Sequence, residues 1–380
     1  MSISLTNILS ILIIFQLLFL SFYLFTEQTG KKIGNRLLGI FFLSISLNLL
    51  DVFLLVNGVY FSHPNLAGFG SCLPLLFGPL LYFYTQSVVY KSFSLTIKSL
   101  KHFLVFLIFF SGTELYYLFQ PVEAKESILK SLLEHRFPIS ISFVSVLIFI
   151  QFLFYAISSL RLVSAYKNVA NQLFSDSRRT NVSWLYSTII FFILIMFTTT
   201  VNGLLTQTAF SKYYLFAFNL IILAVFIFVI RVLTKALRRP DFFSFGESAD
   251  SRNTFFAAKA NLSEGEKNER EKIAQMVVLY MQNNKPYLDP ELTLDQLALA
   301  LSIRPRILSQ AINEILQQNF FDFINRFRIE EAKRLLTNPA DEKITILEIL
   351  YEVGFNSKSS FNTLFKKYTG QTPTEFRKKA

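Results

Sequence analysis

Apolar residues fill most of the first 240 positions in long stretches that are separated by short polar connections. A helix that crosses the hydrocarbon core of a bilayer needs about 20 mainly apolar residues. Seven stretches come close to that length or exceed it, which is not typical of buried helices in a soluble protein. The pattern therefore predicts a bundle of seven transmembrane helices. The predicted spans are residues 5–25, 34–56, 66–90, 102–119, 138–160, 184–205 and 213–234.

The last third of the chain follows a different pattern, with apolar positions at intervals of three and four, as on one face of a soluble helix. Near the end of the chain, Gly354 separates two such helices, and Gly370 and Pro373 end the second one. Two short helices around a tight turn predict a helix-turn-helix unit. Its apolar positions are Ile346, Ile349, Leu350, Val353, Phe361, Leu364, Phe365 and Tyr368.

A similar unit is predicted upstream, around the turn Ser302-Ile303. A joining helix, residues 319–337, would be about 25 Å long. That length suits two recognition helices in major-groove segments about 34 Å apart. The recognition helix is the second helix of each helix-turn-helix unit and is called its reading helix below. The predicted fold is all-α: a seven-span bundle, then a cytoplasmic domain with two helix-turn-helix units. The predicted domains are a transmembrane sensor region at 1–236, a juxtamembrane linker at 237–263 and a DNA-binding domain at 264–380, with units at about 293–317 and 345–370.

The charge of the chain is unevenly distributed. The formal net charge is +11, and residues 1–240 hold all of it, with 18 Lys+Arg against 7 Asp+Glu, whereas residues 241–380 hold 19 of each. The overall basicity is therefore no evidence for DNA binding. Lysine and arginine favour cytoplasmic connections, and here they concentrate after the first, third, fifth and seventh spans. This alternation predicts an N-terminus outside and a C-terminal domain in the cytoplasm.

The second helix of each helix-turn-helix unit leaves polar side chains off its apolar face. Their types are those that reach phosphates and base edges in the major groove. Lys367 is predicted as a phosphate contact, and Asn362 or Gln310 as a base reader. The predicted DNA-facing residues are Arg306, Gln310 and Asn313 in the first unit, and Lys358, Ser360, Asn362, Thr363, Lys366 and Lys367 in the second.

Four polar side chains are predicted in the outer halves of the spans. They are Asp51, Glu114, Asn202 and Asn219. Such groups are costly in hydrocarbon and mark candidate functional sites. Two interpretations stay open: a pocket for an unknown small-molecule or ion signal, and hydrogen bonding between packed helices. A break in the third span, with freed backbone carbonyls, is expected at Pro74, Gly78 and Pro79.

Enzymatic chemistry has no support in the soluble part. Residues 241–380 contain no histidine, no Gly-rich phosphate loop and no metal-ligand spacing. We therefore expect no catalytic residues, no metal site, no cofactor and no enzyme activity. The alternative to a DNA-binding regulator is a membrane transporter or receptor whose helical tail is a protein-interaction module.

The C-terminal pattern resembles the AraC/XylS family of bacterial transcription regulators over about residues 270–380. The second unit is similar at Ile349, Tyr351 to Phe355, Ser357, Phe361, Phe365 to Tyr368, Gly370, Pro373 and Arg377. The first unit and the joining helix are similar at Leu297, Ala298, Pro305, Arg306, Leu308, Ser309, Phe320, Asn325, Arg328, Ala332 and Lys333. The resemblance implies two units on adjacent major grooves, while the rest of the chain senses a signal or mediates dimerisation.

Three positions depart from the family pattern. Leu350 stands where the family usually has a small alanine, Arg304 replaces the serine of an N-cap, and Gln317 replaces a glycine after the first reading helix. An N-cap without a short polar side chain leaves a backbone N–H without that acceptor. We therefore expect adjusted packing at Leu350 and a first unit that is less tightly specified than the second.

Together these patterns predict a membrane-embedded one-component transcription regulator with a multi-span sensor. Its expected location is the bacterial inner (cytoplasmic) membrane. The expected partners are double-stranded promoter DNA and the lipid bilayer. RNA polymerase, a second copy of the chain, and an unknown small-molecule or ion signal are further candidates.

Overall fold

The structure is a computed structural model that describes residues 4–27, 32–90, 93–134, 139–175, 183–238, 264–337 and 344–379. Most of the predicted linker, residues 239–263, lies outside the described residues. The chain separates into two compact units. The first contains Met1–Val163 and Trp184–Ser248, and the second contains Ser164–Ser183 and Ala249–Ala380.

The first unit is built from apolar helices. They are α1 (Leu5–Thr26), α2 (Lys32–Val56), α3 (Val59–Ser62), α4 (Pro74–Val89), α5 (Leu104–Leu118), α6 (Val122–Leu133), α7 (Ile139–Leu173), α8 (Ser183–Leu205) and α9 (Tyr214–Arg238). The last ten residues of α7, from Ser164 onward, are counted with the second unit.

Small residues bring the first two helices together. The Ser21 hydroxyl donates to the Gly39 carbonyl at 2.9 Å, and the Ser46 hydroxyl donates to the Ile14 carbonyl at 3.2 Å. In hydrocarbon, helices associate through close packing and such hydrogen bonds, because lipid tails give no hydrophobic drive between them. The contacts between α1 and α2 follow that pattern.

The prediction of seven spans is corrected by the structure. Among the described residues, five helices are long and apolar enough to cross a membrane, or six if α5 with its preceding turn and α6 count as one bent span. The predicted third span fails because its first part is a series of turns around Gly68, which has a positive φ of 90°. The remaining helix, α4, has 16 residues, or about 24 Å. The predicted fourth span ends at a bend of 119°.

The break that was expected at Pro74, Gly78 and Pro79 is not observed, because α4 begins at Pro74 and runs unbroken to Val89. Pro79 lies inside α4 and has no N–H, so the carbonyl of Leu75, four residues earlier, loses its helical donor. The side-chain amide of Gln151 donates to that carbonyl at 3.0 Å. The expected freed carbonyl is present, and a glutamine from α7 occupies it.

The second unit contains the helices of the predicted DNA-binding domain. They are α10 (Glu264–Asn284), α11 (Leu294–Ala300), α12 (Pro305–Gln310), α13 (Phe320–Thr337), α14 (Ile346–Glu352), α15 (Lys358–Thr369) and α16 (Pro373–Lys379). A π-helical turn, Ala311–Ile315, continues α12.

The joining helix α13 belongs to two hydrophobic cores. Its first half contributes Phe320, Phe323 and Ile324 to the core of the first helix-turn-helix unit. Its second half contributes residues such as Ile329 and Ala332 to the core of the second unit. One helix is therefore buried at both ends, which fixes the two helix-turn-helix units relative to each other.

Candidate DNA-binding site and signal pocket

The first helix-turn-helix unit begins with a capping box. The Thr293 hydroxyl accepts from the Gln296 backbone N–H at 3.2 Å, and the Gln296 side chain accepts from the Thr293 N–H at 2.8 Å. The turn passes through Ser302, whose φ is 57°. The reading helix α12 then begins at Pro305, and Arg304 at its N-cap makes no side-chain capping bond. The side-chain acceptor is therefore absent at Arg304 as expected, but Ser357 at the N-cap of α15 makes no side-chain capping bond either. The weaker specification of the first helix-turn-helix unit stays a prediction.

The second unit has the same plan with a glycine at its turn. Thr345 and Glu348 form a second reciprocal capping box at the start of α14. Gly354, with a φ of 87°, turns the chain toward α15, and Gly370, with a φ of 75°, ends that helix. Leu350 is fully buried in the core of this unit, so the side chain that replaces the usual alanine is accommodated by packing.

Both reading helices bury one face and leave the other polar. Leu308 and Ile312 in the first unit, and Phe361 and Phe365 in the second, are fully buried. Five of the predicted DNA-facing residues are exposed: Arg306, Lys358, Thr363, Lys366 and Lys367. The other four are half-buried: Gln310, Asn313, Ser360 and Asn362. These positions can approach a groove, and their contacts with DNA stay a prediction.

Lys367 has a contact that its sequence position does not reveal. Its ammonium group pairs with Asp322 of the joining helix at 2.8 Å, and the Tyr368 hydroxyl donates to the same carboxylate oxygen at 2.9 Å. Burial alone would raise the pKa of Asp322, but the hydrogen bonds from Lys367 and Tyr368 lower it below its usual value. The carboxylate therefore holds α15 against α13, and Lys367 is part of that brace.

The end of the first reading helix is irregular. Asn313 lies in the π-helical turn, and its side-chain amide donates to the Ser309 hydroxyl at 3.2 Å. Gln317 follows with a φ of 55°. Left-handed backbone is unfavourable for residues other than glycine, so Gln317 adopts a backbone conformation that glycine takes more easily.

The two carboxylates predicted for the signal pocket lie at one turn among the apolar N-terminal helices. Asp51 accepts from the Tyr60 hydroxyl at 2.6 Å and from the Gly68 N–H at 3.2 Å. Glu114 accepts from the Ser71 hydroxyl at 3.3 Å, and a Cβ at Gly68 would lie 3.6 Å from its carboxylate. Asp51 and Glu114 are thus 63 positions apart in sequence, but both lie at the turn of Gly68.

A cavity of about 380 Å³ opens beside Glu114. Apart from Glu114, its walls are mainly apolar. They are formed by Asn65, Leu66, Ala67, Phe69, Phe110, Ser111, Leu115 and Leu118. A cavity of this size and lining is typical of small-molecule sites, in which few polar groups orient an apolar ligand.

The two asparagines do not join this pair. Asn219 accepts a hydrogen bond from Thr6, and Asn202 is buried with no hydrogen-bond partner for its side-chain oxygen. Among the described side chains, no hydrogen bond links either asparagine to Asp51 or Glu114. Of the four predicted pocket residues, only Glu114 lines the cavity, and Asp51 lies behind it at the turn of Gly68.

Two residues at this turn were not among the sequence candidates. Tyr60 is buried and binds Asp51. Lys125 is also buried, and its ammonium donates to Asn65 at 2.8 Å and to the Leu118 carbonyl at 2.9 Å. Lys125 lies in a connection with balanced charge, and a buried lysine there has no signature in the sequence. In the part of the chain that is described, no group of three or more His, Cys, Asp or Glu suits a metal ion.

The C-terminal residues match a known domain family. Residues 297–379 match a family described as a helix-turn-helix domain. The chain is 32% identical over 106 residues to an uncharacterized HTH-type transcriptional regulator in the cgkA 5' region of Pseudoalteromonas carrageenovora, which covers 28% of this chain and 59% of the relative. It is 31% identical over 109 residues to the regulator YisR of Bacillus subtilis, over 29% of this chain and 36% of the relative.

One solved structure is also similar. It is the C-terminal domain of AraT, a response regulator from Geobacillus stearothermophilus, with 28% identity and a TM-score of 0.23, over 32% of this chain and 89% of that one. The chain thus spans about three fifths of the first curated relative and about a third of the second. These relatives are described as transcriptional regulators, which agrees with the expectation that the chain is not an enzyme.

Proposed function

Because residues 297–379 form a helix-turn-helix domain of the AraC type, we propose that the chain is a membrane-embedded one-component transcription regulator. In this proposal, the apolar helices hold the protein in the bacterial inner membrane with the N-terminus outside, and the C-terminal DNA-binding domain binds promoter DNA in the cytoplasm. The signal, a small molecule or an ion, acts at the apolar N-terminal helices.

The observation that carries the proposal is the pair of reading helices on one rigid scaffold. Each helix exposes basic or polar side chains opposite a fully buried face. The joining helix α13 has 18 residues, or about 27 Å. Both of its ends are buried in separate cores, which supports the proposal that the two reading helices bind neighbouring major-groove segments about 34 Å apart.

The experiment is chromatin immunoprecipitation and sequencing with the tagged full-length protein in its own cells. We expect sharp peaks that share a motif of two parts, because each reading helix contacts its own segment. The matched control has Leu350→Lys, which places a charge in the core of the second unit. Peaks that are equal in the two samples, or an absence of peaks with the protein present in the membrane under varied growth conditions, would contradict the proposal.

Two substitutions on α15 distinguish base reading from phosphate binding. Asn362→Ala is expected to relax the motif at one or two positions, because a good side-chain pair with a base contributes about 1–3 kcal/mol of discrimination. Lys366→Ala is expected to weaken occupancy at all sites alike, because a phosphate contact carries no sequence information. Lys272→Ala, an exposed lysine on α10, is the control. The measurement is the motif and its occupancy, and an unchanged motif removes Asn362 from the readers.

We further propose that the cavity beside Glu114 is the signal site. The Glu114 carboxylate and a mainly apolar lining meet there, whereas Asp51 is bound by Tyr60 and the Gly68 backbone. Glu114, which lines the cavity, is the carboxylate that a ligand can reach. A ligand shifts the regulator only if it binds one arrangement of the protein more tightly than the other.

Glu114→Gln tests this site because it removes the charge and keeps the shape. We expect transcription of the bound genes to change by about fivefold or more, the lower range of coupling between distinct sites. The amount of protein and the DNA motif should stay as they are. Glu126→Gln, an exposed glutamate on α6, is the control. The signal site lies elsewhere if both variants transcribe as the parent chain does under inducing and non-inducing growth.

A further inference from the structure

The segment after α7 is built into the same compact unit as the helix-turn-helix domain. Residues Ser164–Ser183 cluster with Ala249–Ala380, although the 65 residues at 184–248 separate the two parts in sequence. Ala170 is fully buried, and Leu173 packs against the core of the first helix-turn-helix unit. The connection that follows the fifth predicted span is therefore part of the folded domain.

Ser175 is the centre of this contact. It is 1% exposed, and its hydroxyl donates to the Leu292 carbonyl at 2.7 Å. Its own carbonyl accepts from the Asn325 amide and from the Arg328 guanidinium, each at 3.2 Å. Its neighbour Phe174 forms an isolated antiparallel bridge with Thr293, the residue that caps α11. Side chain and backbone of the segment are both engaged.

Arg328 shows why the segment is needed. Its side chain is 1% exposed, and a guanidinium carries five N–H donors. Two of its hydrogen bonds go to Ser175, one to the carbonyl and one to the hydroxyl, each at 3.2 Å. Further hydrogen bonds go to the carbonyls of Tyr287 and Asp289 at 2.7 Å and to Asn325 at 3.3 Å. Without Ser175, two donors of a buried cation would lose these acceptors.

We propose that Arg328, Asn325 and the Leu292–Thr293 backbone form an intramolecular docking surface whose occupant is residues 170–175 of the same chain. The contact gives the domain a second attachment to the apolar helices, besides the chain through residues 239–263. It lies on α11 and α13, and none of the hydrogen bonds described for residues 170–175 involves a predicted DNA-facing residue. The segment therefore holds the start of α11 without using the side chains that face DNA in the proposed function.

The regulatory consequence rests on the proposed function, whereas the contact itself does not. If the apolar N-terminal helices receive the signal, a displacement of α7 reaches the first helix-turn-helix unit through Ser175. The segment is thus the route by which the spans bias the DNA-binding arrangement.

Disulfide trapping in the full-length chain tests the contact. The lone cysteine, Cys72, is first replaced by alanine, and Phe174→Cys is combined with Thr293→Cys. Opposed residues of an antiparallel bridge have Cα atoms about 4.5–5.5 Å apart, which lies within the range for a disulfide. A site for a specific protease is placed between residues 245 and 255. After mild oxidation in native membranes and cleavage, the two fragments should stay joined on a non-reducing gel and separate with reductant.

The control pair is Phe174→Cys with Thr363→Cys, because Thr363 is exposed on the second reading helix. A joined fraction no larger than that of the control pair overturns the proposal. Disulfide-linked dimers in place of joined fragments also overturn it, because the occupant would then come from a second copy. Neither readout depends on DNA, so a failure here is distinct from a failure of the proposed function.

A second measurement keeps the test valid if the loss of Phe174 disturbs the segment. Ser175→Leu places a larger side chain at a buried position beside Arg328, and hydrogen exchange is followed in the full-length protein in lipid nanodiscs. We expect exchange in residues 286–297 to become at least about fivefold faster, through local opening of the first unit. Residues 346–369 should keep their rates. An unchanged rate of hydrogen exchange in residues 286–297 would mean that residues 170–175 do not stabilise the first helix-turn-helix unit.

Discussion

Gly354→Ala is expected to destabilise the second helix-turn-helix unit by about 2–5 kcal/mol and to weaken promoter binding. Gly354 has a φ of 87°, and a Cβ there would lie 2.6 Å from the Tyr287 carbonyl oxygen and 2.8 Å from that of Leu288. A left-handed conformation costs a residue with a side chain about 1–2 kcal/mol. Overpacking against backbone costs about 1–3 kcal/mol more. These costs are a large part of the usual stability of a domain, which is about 5–15 kcal/mol.

Gly370→Ala is the matched control for this prediction. Gly370 has a φ of 75°, but a Cβ there would meet nothing within 4 Å. It should therefore cost only the conformational part, about 1–2 kcal/mol. The measurement is the urea midpoint of the C-terminal domain in full-length protein, followed by pulse proteolysis with a C-terminal tag. Equal midpoints for the two variants would mean that the contact of Gly354 with residues 287 and 288 is not tight.

Arg328→Lys is expected to destabilise the first helix-turn-helix unit strongly, although it keeps the positive charge. The guanidinium reaches acceptors on Tyr287, Asp289 and Ser175 at once. A lysine ammonium is a single point with three donors and cannot span them. Each buried acceptor left without a donor costs about 1–3 kcal/mol. With two or more such losses, we expect about 2–6 kcal/mol.

Arg326→Lys is the control, because Arg326 lies on the same helix and is exposed. A surface substitution of this kind usually changes stability by less than about 0.5 kcal/mol. The same urea titration measures both variants. If Arg328→Lys stays as stable as Arg326→Lys, the hydrogen bonds of Arg328 contribute nothing that an ammonium cannot supply.

The helix-turn-helix domain could be predicted closely because its signals are local. The interval of apolar positions located α14 and α15, and the two glycines marked the turns at Gly354 and Gly370. The capping boxes at Thr293 and Thr345 follow the same short-range rules. These features depend on residues within one helical turn, so a single sequence contains them.

The number of spans could not be predicted in the same way. Hydropathy counts apolar residues, and residues 66–90 are mainly apolar. It does not register that Gly68 and its neighbours form turns, or that the chain bends after Leu118. The turn at Gly68 is stabilised by a partner outside it, Asp51 at the Gly68 N–H, and Gln151 satisfies the Leu75 carbonyl that Pro79 frees within α4. No local pattern encodes those pairings.

The sequence by itself determined the class of the protein: apolar helices in one part, an AraC-type DNA-binding domain in the other, and the polar faces of its reading helices. Periodicity and turn residues are enough for that, because each acts over a few positions. Only the tertiary structure decided which long-range partners meet: Lys367 with Asp322, Glu114 with the turn at Gly68, and Arg328 with Ser175. Those contacts depend on how distant segments pack, and a buried polar group finds its acceptor only after the chain has folded.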